Sequence, residues 1–358
     1  MAKNNKTVCG TSLKSRRDFI ASSVTMLAGF GLPASSALGA RQAPPLPISA
    51  FSHMMLAVSD PDASTDWYQR LFGLPVVSRR AEAIILQVGE GPQFIGISGQ
   101  PDNSPRIASF GLALRTYDPE KAVQALQEQG VTSTGMVAPM QSFMRLRKSQ
   151  KADSVDTQEL WFGDPDGIVV QLQDSSYCGG EGTNGEICFP VVESESEAGL
   201  LSIREFNHFT VFVSDQARSI RFYQSLFGMP IDTYQGALPI IRVGTGRAFL
   251  ALAQPPVPPR IHHASLAVEN FNVERIFAQL ESFGLTILGE ASAANGPLQA
   301  YVTMRGADRG GLHSGTPEVY FTDPDGILLQ LQDLSYCGGN GYFGELCGTV
   351  DNPTGRNE

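Results

Sequence analysis

At 358 residues, with 42% hydrophobic and 17% charged side chains, the chain has the composition of an ordinary globular protein and length enough for two domains. Its net charge of -10 becomes 21 Lys+Arg against 35 Asp+Glu once residues 1–40 are set aside, a balance of -14. That acidity speaks against nucleic acid or an anionic membrane as a partner, because nothing would compensate the phosphates.

In chain order, residues 1–40 read as an export signal. Ser15-Arg16-Arg17-Asp18-Phe19-Ile20 is a twin-arginine pattern, followed by an apolar run that Gly29, Gly31 and Pro33 interrupt before it could span a bilayer. A periplasmic or secreted location follows as the expectation. Residues 41–47 are a Pro-rich linker to a first domain at 48–190. There His53–Val58 predicts a strand and Pro61–Phe72 a helix, with Asp60 as its cap and Gly73 as its stop. Three strands follow near Pro75–Arg79, Ile84–Val88 and Gln93–Ser98. The pattern restarts with a strand at Phe110–Leu114 and a helix at Pro119–Gln129 closed by Gly130, then three more strands. A Glu/Ser-rich linker at 191–203 leads to a second domain at 204–348, and a polar tail occupies 349–358. The second domain repeats the order: strand His208–Val213, helix Gln216–Phe227, strand His263–Val268, and a helix at about Asn272–Phe283 ended by Gly284.

The repetition is literal in places. Thr157–Gly180 (TQELWFGDPDGIVVQLQDSSYCGG) returns as Thr316–Gly339 (TPEVYFTDPDGILLQLQDLSYCGG), and Trp67–Pro75 matches Phe222–Pro230. The chain is thus an α+β protein of four strand–helix–three-strand modules, in which residues common to both halves serve the fold and residues unique to one are candidates for chemistry. Asp164-Pro165-Asp166-Gly167 and Asp323-Pro324-Asp325-Gly326 read as tight turns rather than calcium loops, since both halves keep them. Cys178, Cys188, Cys337 and Cys347 fall in the same repeated loop, which favours two local disulfides, Cys178–Cys188 and Cys337–Cys347, each worth ~2–3 kcal/mol on the chain-entropy model. The rival, a thiolate metal site, lacks close spacing and histidine partners.

Five histidines discriminate the halves. His53 matches His208 at the start of a strand, whereas His262 and His263 align with Ala108 and Ser109, and His313 with Ser154. Four histidines in one domain, at strand starts that converge on one cavity, favour a metal site there.

The paired modules resemble the vicinal oxygen chelate superfamily of glyoxalases, bleomycin- and fosfomycin-resistance proteins and type I extradiol dioxygenases, over nearly the whole chain after residue 40. The run Gly311-Leu312-His313, Val319-Tyr320, Asp323-Pro324, Gly326 and Gln330 is most similar to the two-domain extradiol dioxygenases. The resemblance implies two tandem glyoxalase-like domains, each a cupped mixed sheet with helices outside. It further implies metal ligands at His208 and His263, and substrate-facing roles for His313 and Tyr320. Two positions depart from the family: Gln330 stands where its metal-binding Glu would be, and Ala251 where its acid–base His would be. Gln330 still offers an amide oxygen, and His313 or His262 could move a proton. Glu318 could also replace the lost carboxylate, although Glu159 holds the same place in the first half. His53, Ser109 and Gln171 leave that half a degenerate partner.

The leading expectation is an exported oxidoreductase of extradiol-dioxygenase type acting on a small oxygenated, aromatic compound. Its divalent metal would be Fe(II) before Mn or Zn, and Arg242 or Arg305 would neutralise an enolate or carboxylate. A glyoxalase-like lyase or isomerase using the ion as a Lewis acid is the second reading. A non-catalytic ligand-sequestering protein is the third. A small molecule is the expected partner in each, and self-association is left open.

Overall fold

The computed structural model describes residues 43–99, 104–150, 155–190 and 198–348; residues 1–40, read above as an export signal, the polar tail and Ser154 lie outside them. The first module comprises β1 (Ile48–Val58), α1 (Pro61–Phe72), β2 (Val76–Arg79), β3 (Ile84–Gln87) and β4 (Phe94–Gly99). The second comprises β5 (Arg106–Leu114), α2 (Pro119–Glu128), a two-residue β6 (Thr132–Ser133), β7 (Gln141–Arg147), β8 (Thr157–Gly163) and β9 (Val169–Asp174). The third runs β10 (Ile203–Phe212), α3 (Gln216–Phe227), β11 (Ile231–Gln235), β12 (Leu238–Arg242) and β13 (Phe249–Ala253). The fourth runs β14 (Arg260–Val268), α4 (Val273–Ser282), β15 (Thr286–Glu290), β16 (Gln299–Arg305), β17 (Thr316–Thr322) and β18 (Leu328–Asp333).

Two modules make one sheet, and the two sheets have the same order: β2-β3-β4-β1-β5-β9-β8-β7-β6 and β11-β12-β13-β10-β14-β18-β17-β16-β15. Parallel pairs (β1 with β4, β5 with β9, β6 with β7) stand among antiparallel ones, so these are the tandem cupped mixed sheets of the glyoxalase type. The extra edge strands β6 and β15 were not expected, being short and lacking alternation. The expected cap and stop of α1 hold, Asp60 accepting from the Asp62 and Ala63 amides and Gly73 ending the helix in the left-handed region; Asp215, accepting from the Arg218 amide, Asn272, accepting from that of Arg275, and Gly228, at the end of α3, play the same parts in the second half. The first strand of each half starts earlier than expected, at Ile48 and Ile203 rather than His53 and His208. Register shifts at Ile48/Ala50, Phe51/His53, Ile203/Glu205 and Phe206/His208 break the two-residue alternation there and conceal these strands from a pattern reading.

Alternation sets two faces. On one, Phe51, Phe110, Phe206 and Phe209 meet at the junction of the halves, with Phe51 and Phe209 ring centres 4.8 Å apart. Each half's first helix then packs on the other half: Trp67 and Phe72 of α1 on Phe321 of β17, and Phe222 and Phe227 of α3 on Phe162 of β8. The DPDG turns complete this exchange. Tyr68 donates to Asp323 at 2.9 Å and Tyr223 to Asp164 at 3.1 Å, while Asp325 accepts from the Ser59 amide and Asp166 from the Ser214 amide. The opposite face of each sheet is concave, and Tyr177 or Tyr336 from the loop after its last strand lies against it. Both predicted disulfides, Cys178–Cys188 and Cys337–Cys347, close those loops. Among the described residues no helix is long and apolar enough to cross a membrane.

Candidate functional site

In the second cup, β10, β14, β18 and β17 lie side by side and carry His208, His263, Gln330 and Tyr320 on the concave face. His208 Nε2 stands 3.3 Å from His263 Nε2 and 3.1 Å from Gln330 Oε1, with all three side chains buried. Asn207 sets the proton on His208: its amide nitrogen donates to the Tyr336 carbonyl at 2.7 Å, so its Oδ1, 2.8 Å from His208 Nδ1, is left to accept. The lone pair of His208 Nε2 therefore points at the Gln330 oxygen, another acceptor. Gln330 Nε2 and the Ser265 hydroxyl are buried with no hydrogen-bond partner.

The histidines are kept neutral. Burial, with a smaller effect of Arg305, lowers His208 to about 3. Burial and then the neighbouring His208 and His262 hold His263 far below the ordinary imidazole value, and burial followed by Arg260 brings His262 down to about 4. Neutral imidazoles are the form that binds a metal, so an ion would displace no proton from them near neutral pH. Two ring nitrogens and an amide oxygen fit a divalent cation by donor type, although the set carries no charge to offset the ion. Consistent with this, no three His, Cys, Asp or Glu side chains stand together as a metal cluster among the described residues.

Other expected site residues separate into neighbours of this centre and residues committed elsewhere. Tyr320 belongs to it: its ring meets His263 edge to face at 5.4 Å, and its hydroxyl donates to Glu318 at 3.3 Å. His262 stacks on Phe212, and its Nδ1 lies 2.8 Å from His263 Nδ1, which makes it a residue that orients His263. His313 is not in this cluster. It is exposed on the Leu312–Gly315 turn and lines a separate cleft of about 680 Å³ with Tyr234, Asp308 and Asn340. Neither expected arginine is free for substrate. Arg242 pairs with Asp232 and donates to the Gly246 carbonyl. Arg305, fully buried, donates to Glu318 at 2.7 Å and to the Gly339 carbonyl at 2.7 Å, anchoring the disulfide loop. Glu318 is likewise spoken for by Arg305 and by the Tyr336 hydroxyl at 2.8 Å, so it braces the wall of the site. A sequence reading missed Asn207, Ser265, Phe249 (stacked on His208 at 4.3 Å) and Tyr336. The difference between Ser265 and Gly111 was the available signal for one of them. In the first half a side chain at Gly111 would fall 2.3 Å from the His53 ring and from Ser52 Oγ.

A family model described as Glyoxalase/Bleomycin resistance protein/Dioxygenase superfamily matches residues 50–172 and 205–331, and the chain belongs to that superfamily. Among solved structures it is similar to the Mn(II)-bound glyoxalase from Novosphingobium aromaticivorans, with TM-score 0.52 and 15% identity over 80% of this chain and 82% of that one. An extradiol ring-cleaving dioxygenase from B. fuscum gives TM-score 0.54 and 16% identity over 82% of this chain and 74% of that one. The 2,3-dioxygenase LapB from a Pseudomonas species gives TM-score 0.54 and 14% identity over 80% and 92%. At these identities the likeness establishes the duplicated fold.

Proposed function

We propose that this chain is an exported, metal-dependent enzyme of the superfamily, with an ion held by His208, His263 and Gln330 and a small oxygenated aromatic compound as substrate. The observation that carries it is the meeting of His208 Nε2 and Gln330 Oε1 at 3.1 Å, two acceptors that a cation would reconcile. A divalent ion there would polarise neighbouring oxygens of a substrate as a Lewis acid, and Fe(II) would add oxygen chemistry. Tyr320 would orient the substrate, and His262 and Asn207 would fix the ring planes of the two imidazoles. Export is supported by the twin-arginine pattern in residues 1–40 and by the two disulfides, a kind of bond that persists in oxidising compartments.

The unpartnered Gln330 Nε2 favours a second reading. Turning that amide over would let it donate to His208 Nε2 and satisfy the centre without an ion, as a ligand-sequestering protein would require. Metal analysis separates the two. The enzyme reading expects about one divalent ion per chain, loss of it in His263→Ala, and tighter retention in Gln330→Glu, whose carboxylate offsets the ion's charge. A wild-type chain that takes up neither Fe(II), Mn nor Zn under anaerobic reconstitution overturns it. Oxygen uptake with catechols then distinguishes a dioxygenase from a lyase or isomerase.

A further inference from the structure

The first cup keeps His53 and Gln171 but has Ser109 where the second has His263, so it lacks one of the three candidate metal donors, and it carries something else. It encloses about 470 Å³, within the size range of pockets for small organic ligands. Arg80, Arg145, Trp161 and Gln171 line it, and none of the first three has a like counterpart in the second half, where Gln235, Thr303 and Tyr320 stand instead. Glu159 lies in its wall, and three guanidiniums converge on that one carboxylate: Arg147 at 2.8 Å, Arg145 at 2.9 Å and Arg80 at 3.5 Å. Burial works against the charge on Glu159, and the arginines outweigh it, so the carboxyl stays ionised. Glu82, half exposed at the rim, adds a second carboxylate 3.9 Å from Arg145, so three cations face two anions and one positive charge is left over inside an otherwise acidic chain.

Three buried nitrogens of the residues lining this pocket have no hydrogen-bond partner, Arg80 Nε, Trp161 Nε1 and Gln171 Nε2, while His53 Nε2 and Gln173 Nε2, also unpartnered, lie behind the lining. The three in the lining are all N–H donors. The Arg80 side chain is 6% exposed and Gln171 is 1% exposed, so bulk water does not reach them freely. Donors in excess, net positive charge and an indole wall together call for a planar ligand that brings acceptors and negative charge. We infer that the first cup is a metal-independent binding site for a small aromatic carboxylate, with Arg80 and Arg145 meeting the carboxylate and Trp161 lying against the ring. By this reading the two cups divide the work: one carries guanidiniums where the other has Gln235 and Thr303, and the other carries His263 where the first has Ser109.

The repeat supplies fold-compatible variants. Arg80→Gln/Arg145→Thr writes the second half's residues into the first, and Trp161→Tyr does the same at the wall. Calorimetric titration of the full chain with benzoate and 4-hydroxybenzoate should saturate, and 4-hydroxybenzamide, neutral but isosteric, should bind at least about tenfold more weakly. The arginine double variant should lose about tenfold or more for the carboxylates but not for the amide. Trp161→Tyr should abolish the ligand-dependent change in tryptophan fluorescence, since Trp67, the other indole, is buried among Tyr68, Phe283 and Phe321. His208→Ala/His263→Ala should leave carboxylate affinity unchanged, which separates this inference from the metal reading of the second cup. Equal affinity for carboxylate and amide, an unaffected arginine variant with a native melting transition, or no saturation by either acid below about 5 mM overturns it.

Discussion

Asn207 determines what His208 can do, because its side chain holds the proton of His208 on Nδ1 and leaves Nε2 bare. Neighbours on a strand normally point to opposite faces, yet these two side chains touch. The register shift between Phe206 and His208 turns Asn207 toward the concave side, and the same shift between Phe51 and His53 lets Ser52 reach His53 Nδ1 at 2.9 Å. That is why the histidines were legible in the sequence and their orienting partners were not: strand periodicity assigns Asn207 to the wrong face. Asn207→Leu should weaken metal binding by about 10–100-fold, the usual effect of losing a partner that orients a ligand, measured by competition with a chelator. Unchanged affinity would mean that Asn207 serves only the Tyr336 loop. Arg242 and Arg305 were misread for a related reason. A basic residue on a cup strand looks available in sequence, and only the folded chain shows Asp232 and Glu318 already opposite them.

The element that carries most of the duplication signal, the DPDG turn, does more than reverse the chain. Asp164 Oδ1 accepts from the Asp166 and Ile168 amides within its own turn, and Oδ2 accepts from Tyr223 of the other half's helix. Asp323 does the same with Asp325, Ile327 and Tyr68. The turn was readable from Pro and Gly. The exchange of helices was not, since a tyrosine in α1 gives no hint of which sheet it meets. Burial, partly offset by these hydrogen bonds, raises both aspartates from 3.8 to about 6. A carboxyl with a raised folded pKa keeps its proton longer in the folded chain, so its stabilising contribution is full below about pH 4 and lost as the pH climbs through 6. Denaturant unfolding at several pH values should therefore show wild type losing on the order of 3 kcal/mol per site between about pH 4 and 7, relative to Asp164→Asn/Asp323→Asn. Parallel pH profiles for the two proteins would refute the assignment. Tyr68→Phe and Tyr223→Phe should each cost about 1–3 kcal/mol by leaving a buried carboxyl oxygen without its donor, and the two losses should add because the pairs lie at separate turns.

At the scale of the whole molecule, each cup is closed by a loop that a disulfide staples, and the staple is placed to act on its own cup. Tyr336 lies between the Cys337–Cys347 loop and the second cup. Its ring is 5.7 Å from that of His208 and its hydroxyl bonds Glu318, while Arg305 holds the Gly339 carbonyl from below. Tyr177 relates in the same way to the first cup, 5.7 Å from His53 and bonded to Glu159 at 2.9 Å. The repeated YCGG phrase therefore supplies a cover to each cup as well as scaffold, which its presence in both halves made easy to overlook. Cutting either bond should cost about 2–3 kcal/mol of stability, the chain-entropy value for a loop this short, with the same loss from Cys178→Ser/Cys188→Ser as from Cys337→Ser/Cys347→Ser. The functional effects should separate. Freeing the second loop lets Tyr336 move off His208 and should weaken metal retention while carboxylate binding persists. Freeing the first should weaken carboxylate binding and leave metal content alone. Both readouts falling together in either variant, at a temperature where the chain remains folded, would show the cups to be one coupled unit and would remove the basis for assigning them separate ligands.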